Sequence, residues 1–262
     1  MLQKEKITTI TFLGTGTSIG VPVITCDCEV CTSTDPRDNR TRTSVMIESG
    51  DEVFVIDSGP DFRMQMLREK VMNLSAILFT HEHRDHIAGL DDVRAFNYVL
   101  NKRIDIYGRK RTLEMIQTEF PYIFTEQRYF GAPQINVNEI DNQPLHIFGH
   151  TFIPITVYHD KMPITGYRLG DFSYITDASR IDDDELEKVK GSRILVLNAL
   201  RNSKHCSHYS VDEAIEIIDR IQPERAYLTH MSHFIGKHAD LCKRLPSHIQ
   251  PAYDGLKITL QD

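Results

Sequence analysis

The run Thr80-His81-Glu82-His83-Arg84-Asp85-His86 places three His and one Asp within six positions, straight after the apolar stretch Ala76–Thr80. In extended chain His81 and His83, two apart, point the same way. Asp85 and His86 come after the chain begins to turn into the next helix, so they can face a second ion. Imidazole and carboxylate together suit Zn, Mn or Fe, and such mixed sets choose weakly among them. The competing reading is a solvated polar loop, which gives no reason for this spacing. A second set is Cys26-Asp27-Cys28-Glu29-Val30-Cys31, a Cys-x-Cys-x2-Cys pattern. Three thiolates and one imidazole close a tetrahedral zinc site, which is structural and not catalytic. The alternative is three inert thiols. The spacing leaves the fourth ligand open among Cys206, Cys242 and several His.

Short apolar runs of β type must position these groups. They are Ile7–Leu13, Ser44–Ile47 and Val53–Ile56 (a hairpin about Ser49-Gly50-Asp51), Ala76–Thr80, Ile104–Tyr107, Ile153–Tyr158, Gly166–Leu169, Phe172–Thr176, Ile194–Leu197, Ala226–Thr229 and Leu256–Leu260. Gly170-Asp171 reads as a tight two-residue turn. Helical spacing is expected over Ile87–Leu100, Asp182–Lys190, Val211–Ile221 and Phe234–Leu245. Ser210 stands as N-cap of the third, with Glu213 at the capping-box position. Residues 26–42 read as a polar loop. Strands alternate with helices, yet hairpins are present, so the sheet is expected to be mixed and covered by helices.

Composition narrows the class. The 262 residues carry 30 Lys+Arg against 37 Asp+Glu, a net charge of −7, with 40% hydrophobic residues. Such a chain is not disordered. It is also a poor generic binder of nucleic acid, which needs clustered Lys and Arg; the densest basic run is Arg109-Lys110-Arg111. No apolar stretch approaches the roughly 18 residues that span a bilayer. Met1–Lys6 has no apolar run, so no signal peptide is expected. Three of five Cys within six residues then favour metal over a disulfide framework. A cytoplasmic location is expected, and one domain over 1–262 with a zinc-binding loop at about 21–42.

The pattern His-x-His-x-Asp-His after a strand resembles the metallo-β-lactamase superfamily. The resemblance implies an α/β fold, the αββα sandwich of two mixed β-sheets flanked by helices, with further ligands just after later strands. His159 follows Ile153–Tyr158, Asp177 follows Phe172–Thr176, and His230 follows Ala226–Thr229. By the resemblance His81, His83 and His159 hold one metal, Asp85, His86 and His230 the other, and Asp177 bridges them. Asp57 is a candidate partner behind a ligating His, with a turn-capping carboxylate as the alternative. The cysteine loop is similar to that of the PhnP-type phosphodiesterases. In that family the fourth zinc ligand is a His three residues after the last active-site His, which is His233 here. The same resemblance makes His208 the candidate general acid or phosphate partner, with Asp85 also counted among the catalytic residues.

These expectations amount to a metal-dependent phosphodiesterase on a small cyclic or ester phosphate, using a hydroxide shared by two divalent ions (Mn or Zn, with Fe a third candidate) beside one structural Zn. Arg168 and Lys204 are weaker candidates for phosphate contacts. A homodimer is left open. The first rival is a ribonuclease Z-like tRNA 3′-processing endonuclease, but only seventeen residues separate His159 from Asp177, too few for an RNA-gripping arm. A non-catalytic PqqB-like binding protein is opposed by the intact ligand set. Thioester and lactam hydrolysis are further alternatives, since fold alone does not decide chemistry.

Overall fold

The computed structural model describes residues 7–125 and 131–261. The expectation for Met1–Lys6 lies outside them. Among the described residues no helix is long and apolar enough to cross a membrane. The chain divides into two compact units, the first built from 1–14, 44–140 and 255–262, the second from 15–43 and 141–254.

The first unit holds strands β1 (Ile7–Gly14), β2 (Ser44–Ser49), β3 (Glu52–Ile56), β4 (Ala76–Leu78), β5 (Ile104–Gly108) and β6 (Ile135–Glu139). They form one mixed sheet in that order, with the strand Lys257–Gln261 added beyond β1. β1, β2 and β3 run antiparallel through the expected hairpin, while β3 to β6 are parallel. The helices are α1 (Phe62–Glu69), α2 (Arg84–Ile87), α3 (Arg94–Leu100), α4 (Lys110–Glu119) and α5 (Pro121–Phe124). Phe62, Met66, Phe96, Leu113, Ile116 and Ile123 from these helices share one core with Val55, Ile77, Ile104 and Ile106 of the sheet.

The expected single helix over 87–100 is broken into α2, a 3-10 turn at Leu90–Val93, and α3. The cause is the loop after β3. The Ser58 N–H donates to the His86 carbonyl and the Ser58 carbonyl accepts from the Gly89 N–H, both at 2.8 Å, so bonds that would continue the helix are diverted. A side chain at position 89 would meet the Gly59 carbonyl at 2.1 Å, so only glycine fits this approach.

The second unit holds β7 (Leu145–Ile147), β8 (His150–His159), β9 (Met162–Leu169), β10 (Phe172–Ile175), β11 (Arg180–Ile181), β12 (Ile194–Asn198), β13 (Arg225–Thr229) and β14 (Ile249–Pro251). The sheet order is β11-β8-β9-β10-β12-β13-β14, with β7 also paired to β8. β8 to β10 are antiparallel and β10, β12, β13 and β14 parallel. Helices α6 (Asp183–Val189), α7 (Val211–Ile221) and α8 (His238–Arg244) accompany it. On α7, Val211, Ala214, Ile218 and Ile221 are buried against strand residues such as Leu195, Leu197, Ala226 and Leu228. Each large aliphatic so buried contributes about 1.5–3 kcal/mol. Ser210 and Glu213 form the reciprocal capping box.

The expected helix over 234–245 is also shortened. Residues His233–Ile235 make a 3-10 turn and Gly236 leaves it at φ +96°. α8 starts afresh at His238, whose N–H donates to Asp38 Oδ1 at 2.7 Å.

Candidate functional site

In the first unit, His81, His83, Asp85 and His86 occupy the turn between β4 and α2. His81 Nε2 and His83 Nδ1 lie 3.0 Å apart, and the His81 and His86 rings have centroids 4.1 Å apart. His86 Nε2 is 3.2 Å from Asp85 Oδ2. Asp57 holds this turn from behind. Fully buried, it accepts from the Thr80 N–H and Thr80 Oγ1 at 2.8 Å each and from His86 Nδ1 at 2.7 Å. With His86 Nδ1 engaged, its Nε2 is left toward Asp85, the arrangement a metal ligand requires. Burial raises the Asp57 carboxyl pKa, and the neighbouring His86 opposes that shift.

In the second unit, three side chains leave strand ends. His159 closes β8, Asp177 follows β10, and His230 follows β13. The His159 Nδ1–H donates to the Asp177 backbone carbonyl at 2.8 Å, which fixes the ring's orientation and places its proton on Nδ1. Asp177 Oδ1 lies 2.9 Å from His230 Nδ1 and its Oδ2 3.4 Å from His208 Nε2. Ligand atoms of His159, Asp177 and His208 all lie within 4.8 Å of one another. Asp57, Asp177 and His230 have φ of 65°, 58° and 54°. Left-handed backbone is uncommon away from glycine, and here it ends a strand and turns the side chain sharply aside. The donor set in each unit, imidazoles with a carboxylate and ring nitrogens fixed by outer hydrogen bonds, fits a divalent cation.

The cysteine loop belongs wholly to the second unit. Cys26, Cys28 and Cys31 Sγ lie 3.3, 3.4 and 3.4 Å from His233 Nδ1. A tetrahedral zinc with ~2.3 Å bonds spaces its ligand atoms about 3.8 Å apart, so the set fits a closed site. A backbone N–H from Cys31 is the main cause that brings the Cys28 thiol down to about 6, favouring thiolate, while burial pushes Cys31 up to about 11. The loop is anchored by polar contacts. Arg40 is buried and donates to the Ala252 carbonyl at 2.7 Å and to Thr15 Oγ1 at 3.1 Å. Asp254 accepts from the Thr41 N–H at 2.8 Å.

Sequence reasoning missed two participants. Thr17 Oγ1 lies 3.3 Å from His230 Nε2, placed there by a strap in which the Thr17 N–H donates to the Met231 carbonyl and the Met231 N–H to the Thr15 carbonyl. The signal was Gly14-Thr15-Gly16-Thr17: a side chain at 16 would strike the Arg40 carbonyl at 2.7 Å. The other is Ser207, whose Oγ is 3.0 Å from His208 Nδ1. Arg168 is engaged elsewhere, donating to the Gly170, Lys188 and Lys190 carbonyls, and exposed Lys204 pairs with Glu213 at 3.5 Å. Cys206 and Cys242 are exposed thiols.

Comparison with known proteins places this geometry in a family. The pattern of the beta-lactamase superfamily domain matches residues 53–231. A Porphyromonas gingivalis protein named octanoyltransferase is 37% identical over 254 residues, 95% of this chain and 51% of that protein. Ribonuclease Z of Nostoc punctiforme is 31% identical over 168 residues, 62% of this chain and 46% of that enzyme. The chain thus spans about half the length of these relatives. A crystal structure described as a new diphosphatase from the PhnP family matches with a TM-score of 0.92 at 39% identity, covering 98% of this chain and 99% of that one. Two mixed sheets with their helices, strand-end His and Asp residues, and these matches together establish that the chain belongs to the metallo-β-lactamase superfamily, in its PhnP family.

Proposed function

We propose that the chain is a metal-dependent hydrolase, acting as a phosphodiesterase on a small cyclic or ester phosphate. The observation that carries this reading is the convergence of His159, Asp177 and His230 from strand ends with His208 from the loop before α7, in a chain that matches a diphosphatase along 98% of its length. The family pattern supports His81, His83 and His159 as ligands of one divalent ion, Asp85, His86 and His230 as ligands of the second, and Asp177 as shared. It likewise supports Cys26, Cys28, Cys31 and His233 as a structural zinc site. When bound, the two active-site ions (Mn, Zn or Fe) supply a polarised water and neutralise charge on the phosphoryl oxygens. Asp57 and the Asp177 carbonyl orient their imidazoles. His208 delivers a proton to the leaving oxygen, a contribution of about 10²–10⁴ in rate for a well-placed acid. One hydrolase domain over the whole chain, acting in the cytoplasm, completes the reading.

A small substrate is favoured over tRNA by the β8–β9 hairpin. Its register pairs His159 with Met162, leaving Asp160 and Lys161 as the turn, and β9 and β10 occupy nearly all the chain up to Asp177. No arm can emerge there. Phosphoanhydride cleavage is a second reading, favoured by the diphosphatase match. The test is a hydrolysis screen with Mn, Zn and Fe each supplied. Its substrates are bis-p-nitrophenyl phosphate, cyclic nucleotides, ribose cyclic phosphates, diphosphate esters, thioesters and a tRNA 3′ precursor, with octanoyl transfer as a control. Turnover of phosphodiesters is expected. Turnover confined to thioesters, to tRNA or to octanoyl transfer would replace the proposal.

A further inference from the structure

His238 is a buried polar side chain that takes no part in the proposed chemistry. It is 3% exposed, lies in the second unit and belongs to neither donor set. Arg40 Nη2 stands 3.5 Å from its Nδ1. Burial brings the Arg40 guanidinium down to about 10, so it stays charged at pH 7. A guanidinium can only donate, so Nδ1 carries the lone pair. Burial and the charge of Arg40 bring the imidazole down to about 4, which leaves one proton on the ring, at Nε2. That Nε2–H meets no acceptor among the described residues. Arg40 is itself buried, and its bonds go to Thr15 Oγ1, the Ala252 carbonyl and His238. Among the described residues no carboxylate reaches it at ion-pair distance; Asp254 and Asp38 act on it from further off.

The His238 ring walls a cavity of about 280 Å³, which Arg37, Tyr253, Leu245, Pro246 and Ile249 also line. Tyr253 meets His238 edge to face, with ring centroids 5.6 Å apart. Arg37 is the one charged residue of the wall among the described residues. Its Nε and Nη2 bond to Asp35, and Nη1 is left over. The cavity thus pairs N–H donors with an apolar side, and its size sits near the lower end of ligand pockets, roughly 300–1,000 Å³.

We propose that this cavity binds a small organic carboxylate, its head on His238 Nε2–H and Arg37 Nη1 and its apolar body against Leu245, Pro246 and Ile249. Two separate donors suit the two oxygens of a carboxylate. Arg40, by donating into Nδ1, polarises the ring and strengthens Nε2–H as a donor. A donor so fed favours an ionised acceptor, because hydrogen bonds to charged oxygens are about twice as strong as those between neutral groups. The bound anion also brings countercharge close to a buried guanidinium that has no paired carboxylate. The inference does not depend on the hydrolase reading.

The test is an NMR titration of the zinc-loaded, ¹⁵N-labelled full chain with benzoate, benzyl alcohol and phenyl phosphate in turn. Benzoate should shift the backbone amides of His238, Ser247 and Gln250 and the His238 Nε2–H signal together, with one Kd on the order of millimolar. Benzyl alcohol, of like shape but uncharged, should bind at least about 10-fold more weakly. Arg37→Gln, at an exposed position, should weaken benzoate about 3- to 10-fold and leave benzyl alcohol unchanged. His238→Phe should abolish the preference for benzoate over the alcohol. If circular dichroism shows that variant unfolded, Arg37→Gln decides alone. No shift at these residues up to about ten-millimolar benzoate overturns the proposal. So does equal binding of benzoate and benzyl alcohol, or an Arg37→Gln chain that binds benzoate as the wild type does. Phenyl phosphate binding here more tightly than benzoate overturns the carboxylate assignment.

Discussion

Asp57 shows how much of the site depends on one carboxylate that is too buried to meet a substrate. It accepts three hydrogen bonds, two from Thr80 and one from His86, in a backbone conformation that L residues rarely adopt. In Asp57→Asn one acceptor becomes a donor, so either the Thr80 side or the His86 side loses its bond. The expected outcome is a 10- to 100-fold loss of metal affinity at the adjoining site, measured by competition with a fluorescent chelator. Retained affinity would return Asp57 to a turn-capping role. His238 makes a second prediction at this scale. Burial, with Arg40 and Arg37 nearby, brings its imidazole down to about 4 despite Asp35 and Asp38. The ring is 3% exposed, so it stays neutral in the fold while the unfolded chain binds a proton. Unfolded molecules therefore hold more protons between about pH 4 and the ordinary value of 6.5, and stability rises with pH across that window. The contribution is up to ~3 kcal/mol at about 1.4 kcal/mol per pH unit. Urea midpoints of wild type and His238→Asn should diverge below pH 6.5, the wild type falling more steeply; parallel curves would remove His238 as the cause.

At the scale of elements, the loop carrying Cys26, Cys28 and Cys31 leans on His233 and on the buried Arg40. Cys28→Ser should abolish bound zinc at this site and lower the thermal midpoint. Structural zinc contributes on the order of 10 kcal/mol in small domains, and a larger core softens that loss. Unchanged zinc content and midpoint would show that the loop is held by Arg40, Asp38 and Asp254 alone. Elements also mark the limit of legibility. Short apolar runs and a capping box made β1 to β5, β8 to β10, β12, β13 and α7 readable. β6 was missed because Ile135–Glu139 interleaves polar residues and is largely exposed. α1 and α4 were missed because few of their residues face the core: Phe62 and Met66 in one, Leu113 and Ile116 in the other. The break at Gly89 was illegible for a different reason. It is imposed by Ser58, some thirty residues away, and no local propensity records it. Within the site, the candidate His, Asp and Cys residues were readable because few residue types offer such donors; Thr17 and Ser207 were not, since ordinary hydroxyl residues gain meaning only from what they touch.

For the whole molecule the quantity to measure is metal stoichiometry. Two separable donor sets, imidazole with carboxylate and thiolate with imidazole, should differ in hardness and exchange. After reconstitution with Mn and Zn, elemental analysis should find three ions per chain. Chelator treatment should remove the pair first, with activity lost and the fold retained, before it reaches the cysteine site. At most one ion per chain would sink the three-ion reading.

The distance along the chain between the cysteine loop and its histidine has a consequence for synthesis. Cys26 and His233 are 207 residues apart, and Cys31 and His233 are 202. At about 5–20 residues per second on the ribosome, the three thiols emerge roughly 10–40 s before the imidazole that completes the set. During that interval the nascent chain offers an incomplete chelate to whatever metal or oxidant it meets. If the set holds zinc, its fourth donor arrives only with the last strands of the second sheet. Full coordination would then report that the second unit has closed, and a newborn chain that fails to fold would be left with three accessible thiols as its mark.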